Sequence, residues 1–466
     1  MSVVFCGVCP HPPIAVPEVG YRESEEVQDT QNALLELGRR VKESGAGTVV
    51  IISPHAPLFH GRIGINGETI LKGDLAHFRA PGVKFQVAND LELVKEIARQ
   101  AESLGLSTLE LTGQLARQYD FSLRLDHGVT VPLYFLEQAG VKLPLVHVSM
   151  ALDTVERLYL FGLAVRNAAE AIGRRVALLA SGDLSHCLTR LAPAGYNPRG
   201  AEFDRELVRL LSVPDVQGIM QMDESLVQEA AECGYRSILM MLGALDGLEV
   251  EAEILSYEGP FGVGYLVASF RPGPPNPERS LLKKIKADRQ ARLERRRAAE
   301  SFLVRVARET VEEKLNARPP SKDRFVPEEF RKKAGVFVSI KKHGNLRGCI
   351  GTIVPTRDNI VEEVVSNAVS AAFYDPRFEP VRREELEDLE FSVDVLQPPE
   401  PVSSLNELDP KRYGVIVRSG SRSGLLLPDL EGIDSAREQV EIARRKAGIG
   451  PEEPVVLERF EVVRYH

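Results

Sequence analysis

The sequence has no tryptophan, few cysteines and no long apolar run. Its five cysteines are an odd number spread over 466 residues, which is not the pattern of a disulfide framework and favours a reducing compartment. A membrane-spanning helix needs about 20 consecutive apolar residues, and no run in the sequence approaches that length. The apolar N-terminal run lacks a basic region and is stopped by Pro10, Pro12 and Pro13, which argues against a signal peptide. We therefore expect a cytoplasmic protein without membrane association.

An excess of positive charge is also missing. Lys and Arg number 58 and Asp and Glu number 67, which gives a formal net charge of -9 at pH 7. A broad nucleic-acid surface needs the opposite balance, so we expect a small-molecule substrate rather than a nucleic acid as the partner. A chain of this length exceeds what one hydrophobic core usually supports, and two or three domains are expected.

Three short apolar runs each lead to a histidine. The runs at 3–9, 49–52 and 176–180 are continuous rather than alternating, which is typical of strands buried on both faces of a parallel sheet. Ligands of open α/β sheets bind outside the carboxyl ends of the strands. The histidines that follow the runs therefore predict a site at one edge of the sheet, and they occur in Pro10-His11-Pro12, Ser53-Pro54-His55 and Ser181-Gly182-Asp183-Leu184-Ser185-His186.

Alternating strand and helix patterns predict an α/β fold, with a mostly parallel central sheet flanked by helices, for the domain at 1–271. Asn66-Gly67 adds a hairpin signal within a glycine-punctuated, β-rich section. The segment 272–289 is predicted to be a proline-rich linker and the start of a charged helix. The composition of 290–466 predicts a second, smaller α+β domain.

Histidines and carboxylates near the strand ends indicate a metal centre. Ferrous sites for oxygen chemistry use two histidines and one carboxylate, and leave positions open for substrate and dioxygen. His11 and His55 are the expected imidazole pair. Glu258 is the expected carboxylate, because Gly259 and Gly262 allow a close backbone approach. Fe(II) is the predicted ion, with another divalent metal such as zinc as the alternative, and the weaker carboxylate candidates are Asp183, Glu224 and Glu253.

Two further histidines have contexts suited to proton transfer. His186 is a candidate general acid or base, because histidine readily exchanges protons near neutral pH. Its neighbour Asp183 could orient the ring or simply stabilise the turn. His127 could donate a hydrogen bond to a bound anion or oxygen species. His147 lies inside an apolar run and is interpreted as a core residue.

Four histidine-containing motifs follow one another in residues 1–271. They are Pro10-His11-Pro12-Pro13, Ser53-Pro54-His55, Leu125-Asp126-His127-Gly128 and Ser181-Gly182-Asp183-Leu184-Ser185-His186. Together they resemble the class III extradiol ring-cleavage dioxygenases of the LigB type and the related Memo proteins, which share the fold. The resemblance implies that His11, His55 and Glu258 bind non-haem Fe(II). It also implies that His186 is the acid/base and His127 a second active-site histidine. The Memo branch has a cysteine as its third ligand, and the segment around Glu258 contains none.

Two strings in the C-terminal part resemble the AMMECR family, which implies a fold but little chemistry. They are Leu346-Arg347-Gly348-Cys349-Ile350-Gly351-Thr352 and Ala371-Ala372-Phe373-Tyr374-Asp375-Pro376-Arg377-Phe378. Arg347 beside Cys349 could favour the thiolate and make a nucleophile. The alternative is a packed cysteine in a glycine-flanked turn. The whole chain is similar to fused dioxygenase-like/AMMECR proteins that accompany a radical SAM protein in microbial genomes, so such a protein is a candidate partner.

Three functional hypotheses follow. The first is an extradiol-type dioxygenase that adds O2 to a catechol-like or other small substrate. The second is a non-enzymatic, metal-binding adaptor of the Memo type. The third is a metal enzyme with a non-aromatic substrate, linked to a radical SAM partner. Proximity of His186 to the metal position would favour an enzyme, whereas a closed crevice would favour the adaptor.

Overall fold

The computed structural model describes residues 2–59, 61–318, 324–342, 344–430 and 432–466. The chain forms two compact units, Met1–Ala287 and Asp288–His466. Within the described ranges, each helix is too short or too polar to cross a membrane.

The first unit contains ten strands and ten complete helices within its described residues. The strands are β1 Val3–Cys9, β2 Thr48–Ser53, β3 Ile63–Asn66, β4 Ile70–Leu75, β5 Ala80–Ala88, β6 Thr108–Leu111, β7 Leu145–Ser149, β8 Val176–Ser181, β9 Leu248–Glu258 and β10 Tyr265–Pro275. The helices are α1 Pro17–Gly20, α2 Gln28–Glu43, α3 Leu91–Ser103, α4 Gly113–Tyr119, α5 His127–Gln138, α6 Val155–Ala171, α7 Pro198–Ser212, α8 Val216–Met220, α9 Glu224–Glu229 and α10 Tyr235–Gly243.

Eight of these strands form one sheet in the order β6-β3-β7-β2-β8-β1-β10-β9. The four central strands, β7, β2, β8 and β1, are parallel. Strands β10 and β9 add an antiparallel edge, and β4 and β5 pair separately. The expectation of a mostly parallel central sheet flanked by helices is confirmed.

The sheet has a hydrophobic core on each face. In β2, Val50 and Ile52 belong to the core shared with α3, α6 and α10, whereas Val49 and Ile51 belong to the core shared with α2 and α5. Successive side chains of a strand point to opposite faces. A strand that is buried on both faces is therefore continuously apolar, which is why the run at 49–52 does not alternate.

Within its described residues, the second unit contains two antiparallel sheets of four strands each. It begins within α11 (Leu282–Ala299), where the division between the units falls. The sheet β12-β11-β13-β18 packs against α12 and α13, and the sheet β14-β17-β15-β16 packs against α14. The bounds are α12 Phe302–Leu315, β11 Val336–Lys342, β12 Asn345–Gly351, α13 Ile360–Phe373, β13 Leu389–Leu396, β14 Glu400–Val402, β15 Gly414–Ser419, β16 Arg422–Leu426, α14 Ala436–Lys446, β17 Val456–Phe460 and β18 Val462–Tyr465.

The hairpin expected at Asn66-Gly67 is wrong. Strand β3 stays in the main sheet beside β6 and β7, and β4 pairs with β5 instead. Asn66 is buried, and its side-chain amide donates to the carbonyl oxygen of Leu123. The Asn-Gly pair therefore ends a strand and links it to a neighbouring loop, rather than forming the turn of a two-residue hairpin.

Candidate metal centre

Three consecutive strands of the main sheet deliver the site. Strand β8 lies between β2 and β1, and all three are parallel, so their carboxyl ends lie side by side. His11 comes just after β1 and His55 just after β2. Asp183 and His186 come just after β8. The topology therefore places these four side chains at one edge of the sheet.

Three metal-ligand atoms converge at this edge. Nε2 of His55 lies 2.9 Å from Nε2 of His11, and Sγ of Cys233 lies 3.6 Å from the same His11 nitrogen. The ligand atoms of these three residues all lie within 4.8 Å of one another. His11 is buried, Cys233 is partly buried and His55 is exposed, so the cluster is open on the side of His55.

The ring of His11 is held from behind. Its Nδ1 lies 2.9 Å from Oγ of Ser181, and its backbone N donates to Oδ1 of Asp183 at 2.8 Å. Burial lowers the pKa of His11 to about 3, and the neighbouring charge of His55 adds to this effect. At neutral pH the imidazole is therefore uncharged. A hydrogen bond from Nδ1–H to Ser181 would leave the Nε2 lone pair facing His55 and Cys233, as a metal ligand requires.

Cys233 reaches the sheet because two glycines touch. A Cβ at Gly182 would lie 2.1 Å from Cα of Gly234, so only glycine allows the end of β8 to meet the segment before α10. The backbone N of Asp183 donates to Sγ of Cys233 at 3.2 Å. Burial and the Asp183 carboxylate raise the pKa of the Cys233 thiol. A metal ion would displace that thiol proton, because the thiolate is the ligand form.

Cys233 is the site residue that sequence reasoning missed. A signal was present: it lies in the polar string Glu229-Ala230-Ala231-Glu232-Cys233-Gly234, whereas Cys6 and Cys9 lie in an apolar strand. A cysteine in a polar turn before a helix has less reason to be a core residue than one in a buried strand. The position of this turn beside β8 depends on a contact between residues far apart in sequence.

Glu258, the carboxylate expected from the sequence, contacts a helix. It is the last residue of β9, and its Oε1 accepts a hydrogen bond from the backbone N of Thr30 at 2.7 Å. Thr30 lies in the first turn of α2, where N–H groups lack helical partners and favour negative charge. Cys233 lies beside the two histidines, and the role of Glu258 as a ligand stays a prediction.

The ring of His127 lies against the two histidines of the cluster, His11 and His55. It stacks on His55 with ring centroids 4.2 Å apart and meets His11 edge-on at 5.1 Å. The ring of Phe78 closes another side at 5.3 Å. Burial lowers the pKa of His127 to about 3, and the charges of His11 and His55 add to the shift. His127 is therefore an uncharged imidazole next to the ligand cluster.

His186 and Asp183 complete the edge. Within the described part of the chain, Nδ1 of His186 is buried and has no hydrogen-bond partner. The charge of His186 affects both His11 and Asp183. Burial raises the pKa of Asp183 to about 6, although the backbone hydrogen bond from His11 and the charge of His186 oppose the shift. The carboxylate thus contacts His11 directly, and His186 follows it three residues later on the same loop.

The buried Asp126 carboxylate supports the His55 loop and the start of α5. Nε2 of His147 lies 3.4 Å from Oδ2 of Asp126, and Oγ of Ser53 donates to Oδ1 of Asp126 at 2.6 Å. The same Ser53 oxygen accepts from the backbone N of His55 at 3.2 Å. Burial alone would raise the pKa of Asp126, but His147 and Ser53 lower it overall. His147, expected in the core, is indeed buried and also lies beside this carboxylate.

A model of the LigB family, described as the catalytic LigB subunit of aromatic ring-opening dioxygenase, matches residues 6–268, which is more than half of the chain. The chain belongs to the LigB family. Residues 304–466 match the AMMECR1 family. The fusion expected from the motifs of the two halves is therefore confirmed.

Relatives of this LigB-family protein include a full-length match. A protein of Clostridium acetobutylicum is 40% identical over 468 residues, which cover 100% of this chain and 99% of that protein. A protein of Thermotoga maritima is 55% identical over 147 residues, which cover 31% of this chain and 84% of that protein. A crystal structure of an uncharacterized protein from Pyrococcus horikoshii, at 34% identity, covers 36% of this chain and 90% of that chain with a TM-score of 0.34.

The donor set of this LigB-family unit fits a metal ion of borderline softness. Two imidazoles suit zinc and iron, and a thiolate adds a soft, charged ligand. The Ser181 hydroxyl behind His11 is the kind of outer partner that metal-bound histidines need. The site therefore fits the metal that the family implies, with Fe(II) and zinc both compatible with these donors.

Of the two candidates in the AMMECR1-type unit, Arg347 is engaged elsewhere. Its Nε and Nη2 donate to the Glu385 carboxylate at 3.0 and 2.9 Å, and Nη1 donates to the carbonyl oxygen of Glu379. Cys349 instead lies on β12 with its sulfur accepting from Oγ of Ser339. The side chains adjacent in sequence thus have separate partners.

The buried carboxyl group of Asp204 should make the LigB-type unit less stable as pH rises. It accepts from Ser185 N and from the Tyr257 hydroxyl, yet burial raises its pKa to about 6 from 3.8. The folded state therefore holds a proton that the unfolded state has lost between about pH 4 and 6, and stability falls as pH rises through that window. Asp204→Asn should remove this loss, which is about 3 kcal/mol at full extent.

Thermal unfolding of Asp204→Asn and wild type between pH 4 and 7 measures the effect. The melting temperature of the variant relative to wild type should rise with pH and level off above about pH 6. Asp120→Asn, at an exposed position, controls for the chemical change itself. A difference that is independent of pH would show that Asp204 is ionised throughout.

Proposed function

We propose that the N-terminal unit is a metal-dependent oxidoreductase that adds dioxygen to a small substrate of the catechol type. The observation that supports this most is the convergence of His11, His55 and Cys233 ligand atoms within 4.8 Å, with the His127 ring stacked beside them. A protein that only stores a metal needs the ligands. It has no need of a further, uncharged histidine such as His127 stacked against them.

His11, His55 and Cys233 would hold the metal, with Fe(II) as the expected ion. A ferrous ion supplies the electron chemistry that dioxygen requires. The protein contributes the rest: the Ser181 and Asp183 contacts fix the His11 ring, and the Ser53 contact fixes the His55 backbone. Such support limits ligand movement and keeps the open side toward His55 available for a substrate.

His186 and His127 would handle protons and hydrogen bonds. His186 would take a proton from a substrate hydroxyl and return it later, since it follows β8 at the same edge of the sheet as the cluster and its Nδ1 lacks a hydrogen-bond partner among the described residues. His127 remains neutral, because burial and the adjacent imidazoles lower its pKa to about 3. A neutral ring can donate one hydrogen bond to a developing negative charge without carrying a charge into the site.

One observation favours a second candidate. Ferrous sites for oxygen chemistry use a carboxylate as the third ligand beside two histidines. The third group beside the two histidines here is the thiol of Cys233. A cysteine as third ligand is the feature of the Memo branch, so a Memo-type metal-binding adaptor is the alternative function. A metal enzyme with a non-aromatic substrate, acting with a radical SAM partner, would use the same cluster.

Oxygen uptake by the iron-loaded protein tests the proposal. Full-length protein purified without oxygen and loaded with Fe(II) is mixed with a panel of catechols in an oxygen electrode. Uptake should match substrate loss, and His186→Ala should lower the rate by roughly 100-fold or more while retaining iron. His466→Gln, at the exposed C-terminal histidine, should change neither.

The alternatives give different results in the same experiment. Stoichiometric iron with no oxygen uptake for any catechol would reject the ring-opening reaction and support the adaptor. Oxygen uptake without substrate loss would likewise count against dioxygenation of these diols. A His186→Ala variant with unchanged rate would remove His186 from the proposed proton transfer.

A further inference from the structure

The row of strand ends that carries the metal cluster continues past His11 onto β10 and β9. Strand β10 pairs antiparallel with both β1 and β9, so β9 runs in the direction of β1 and ends at the same edge. His11 and Tyr265 each lie three residues beyond the pair Val8–Ala268, towards that edge. Glu258, the last residue of β9, pairs with Tyr265, the first of β10. Tyr265 and Glu258 thus stand one and two strands away from His11.

The Glu258 carboxylate has no cationic side chain as a partner among the described residues. It is half-buried, and its Oε1 accepts the hydrogen bond from the backbone N of Thr30. Its Oε2 has no hydrogen-bond partner within the described ranges. Carboxylates that are withdrawn from water are usually paired with a cation or fully hydrogen-bonded. The free oxygen therefore favours a cationic ligand at this position.

Two buried hydroxyl groups without partners flank this carboxylate. Thr30 is 0% exposed, and its Oγ1 has no hydrogen-bond partner in the described part of the chain. Tyr265 is 4% exposed, and its hydroxyl likewise bonds to none of the described residues. Burial, with the charges of Asp183 and Glu258, raises the pKa of Tyr265, so the hydroxyl stays neutral and can accept a hydrogen bond. Buried polar groups are normally hydrogen-bonded, which makes these two hydroxyls available to a ligand.

We propose that Glu258, Thr30 and Tyr265 form a subsite beside the metal cluster that binds an ammonium group on the side chain of the substrate. The subsite rests on the proposed function, because its ligand belongs to the catechol-type substrate. An ammonium group has three donors and no acceptor, which matches one carboxylate and two hydroxyl oxygens. Two strand spacings are roughly 10 Å, about the span of a catechol ring that carries a two-carbon ammonium side chain.

Capping of α2 accounts for only one oxygen of Glu258. A cap needs the contact with the backbone N of Thr30, but it needs neither the second carboxylate oxygen nor the unpartnered hydroxyls. The two roles also differ in what a substitution changes. Loss of a cap lowers stability, whereas loss of the subsite changes which ligands bind.

Titration calorimetry of the full-length protein without oxygen tests the subsite. Zinc is loaded in place of iron, so that no ligand is consumed. The three ligands are dopamine, the analogue in which a methyl group replaces the ammonium, and dihydrocaffeate, in which a carboxylate replaces it. Dopamine should bind about tenfold more tightly than the methyl analogue, as a charge-assisted hydrogen bond provides, and dihydrocaffeate should bind most weakly because Glu258 repels it.

Variants separate the subsite from a general effect. Glu258→Gln should lower the preference for dopamine by about tenfold and Tyr265→Phe by about threefold, while both keep the affinity for the methyl analogue. Glu251→Gln, at an exposed position of the same strand, is the matched control and should leave the preference unchanged. The zinc content and melting temperature of each variant are measured first, so that lost metal or lost stability is recognised.

The outcomes distinguish the subsite from the proposed reaction. Equal affinities for dopamine and the methyl analogue, an equal loss in Glu258→Gln and Glu251→Gln, or loss of zinc from Glu258→Gln overturns the subsite. Oxygen uptake by the iron-loaded protein together with equal affinities would overturn the subsite alone. A preference for dopamine that Glu258→Gln abolishes, without oxygen uptake, would support the subsite and reject the ring-opening reaction.

Discussion

Serine in place of Cys233 is expected to empty the metal centre. Loss of an outer partner of a metal ligand typically costs 10–100-fold in affinity, so loss of the ligand itself should cost roughly 100-fold or more. The serine hydroxyl has nearly the size of the thiol but is a harder, weaker donor that does not release its proton readily. Metal content of protein purified without oxygen, followed by competition with a chelator, measures the change. His55→Ala should lose the metal as well.

Glu258→Gln is the decisive comparison. If Cys233 is the third ligand, the glutamine variant keeps its metal, and stability falls by about 1 kcal/mol because the charge at the start of α2 is lost. Cys349→Ser controls for removal of a thiol from the second unit and should retain metal. Metal retained by Cys233→Ser but lost by Glu258→Gln would instead identify the carboxylate as the ligand. Wild-type protein without metal would reject the centre itself.

The pair His11 and His55 could be predicted from the sequence, because it depends on local patterns and one topological rule. The runs before His11 and His55 are continuously apolar, since their strands are buried on both faces. Parallel strands present their carboxyl ends at one edge, so histidines placed just after such strands are brought together. The order of β2, β8 and β1 in the sheet completes the juxtaposition.

Cys233 could not be predicted from the sequence in the same way. It follows no strand, and it is fifty residues from Asp183, the residue whose backbone N donates to its sulfur. Its position depends on the contact between Gly182 and Gly234, which is a tertiary contact with no periodic signal. A tertiary contact also explains why the hairpin predicted at Asn66-Gly67 is wrong: the buried Asn66 side-chain amide donates a hydrogen bond to a loop distant in sequence. Sequence patterns therefore predict where strands end better than they predict which loops pack beside those ends.

The second unit shows a similar limit. Arg347 and Cys349 are two residues apart on a strand and so point to the same face, which made Arg347 the natural cation for the thiol. Glu385 holds the Arg347 guanidinium instead, and the guanidinium that contacts Cys349 is that of Arg377, which donates to its carbonyl oxygen. The fold determines which partner a guanidinium contacts, because it brings an acidic group from another segment, here Glu385, within hydrogen-bond distance of Arg347.

Alanine in place of Gly243 is expected to have the largest effect on stability. Helices α6 and α10 cross at Gly162 and Gly243: a Cβ at Gly243 would lie 1.7 Å from the carbonyl oxygen of Tyr159 and 3.2 Å from Cα of Gly162. The obstructing atoms are backbone, so no side chain can rotate away and the helices must separate. Overpacking of a core usually costs about 1–3 kcal/mol, and a contact this short should reach or exceed the upper end.

The consequence should extend to the metal centre, because α10 begins just after Cys233. Gly243→Ala should therefore lower the melting temperature, speed amide hydrogen exchange in α6 and α10, and weaken metal binding together. Gly82→Ala is the matched control, since a Cβ there meets no atom within 4 Å among the described residues. Equal stability of the two variants would mean that the helices can separate at little cost. Loss of stability with metal affinity unchanged would mean that Cys233 is positioned by the Gly182–Gly234 contact alone, independently of where α10 packs.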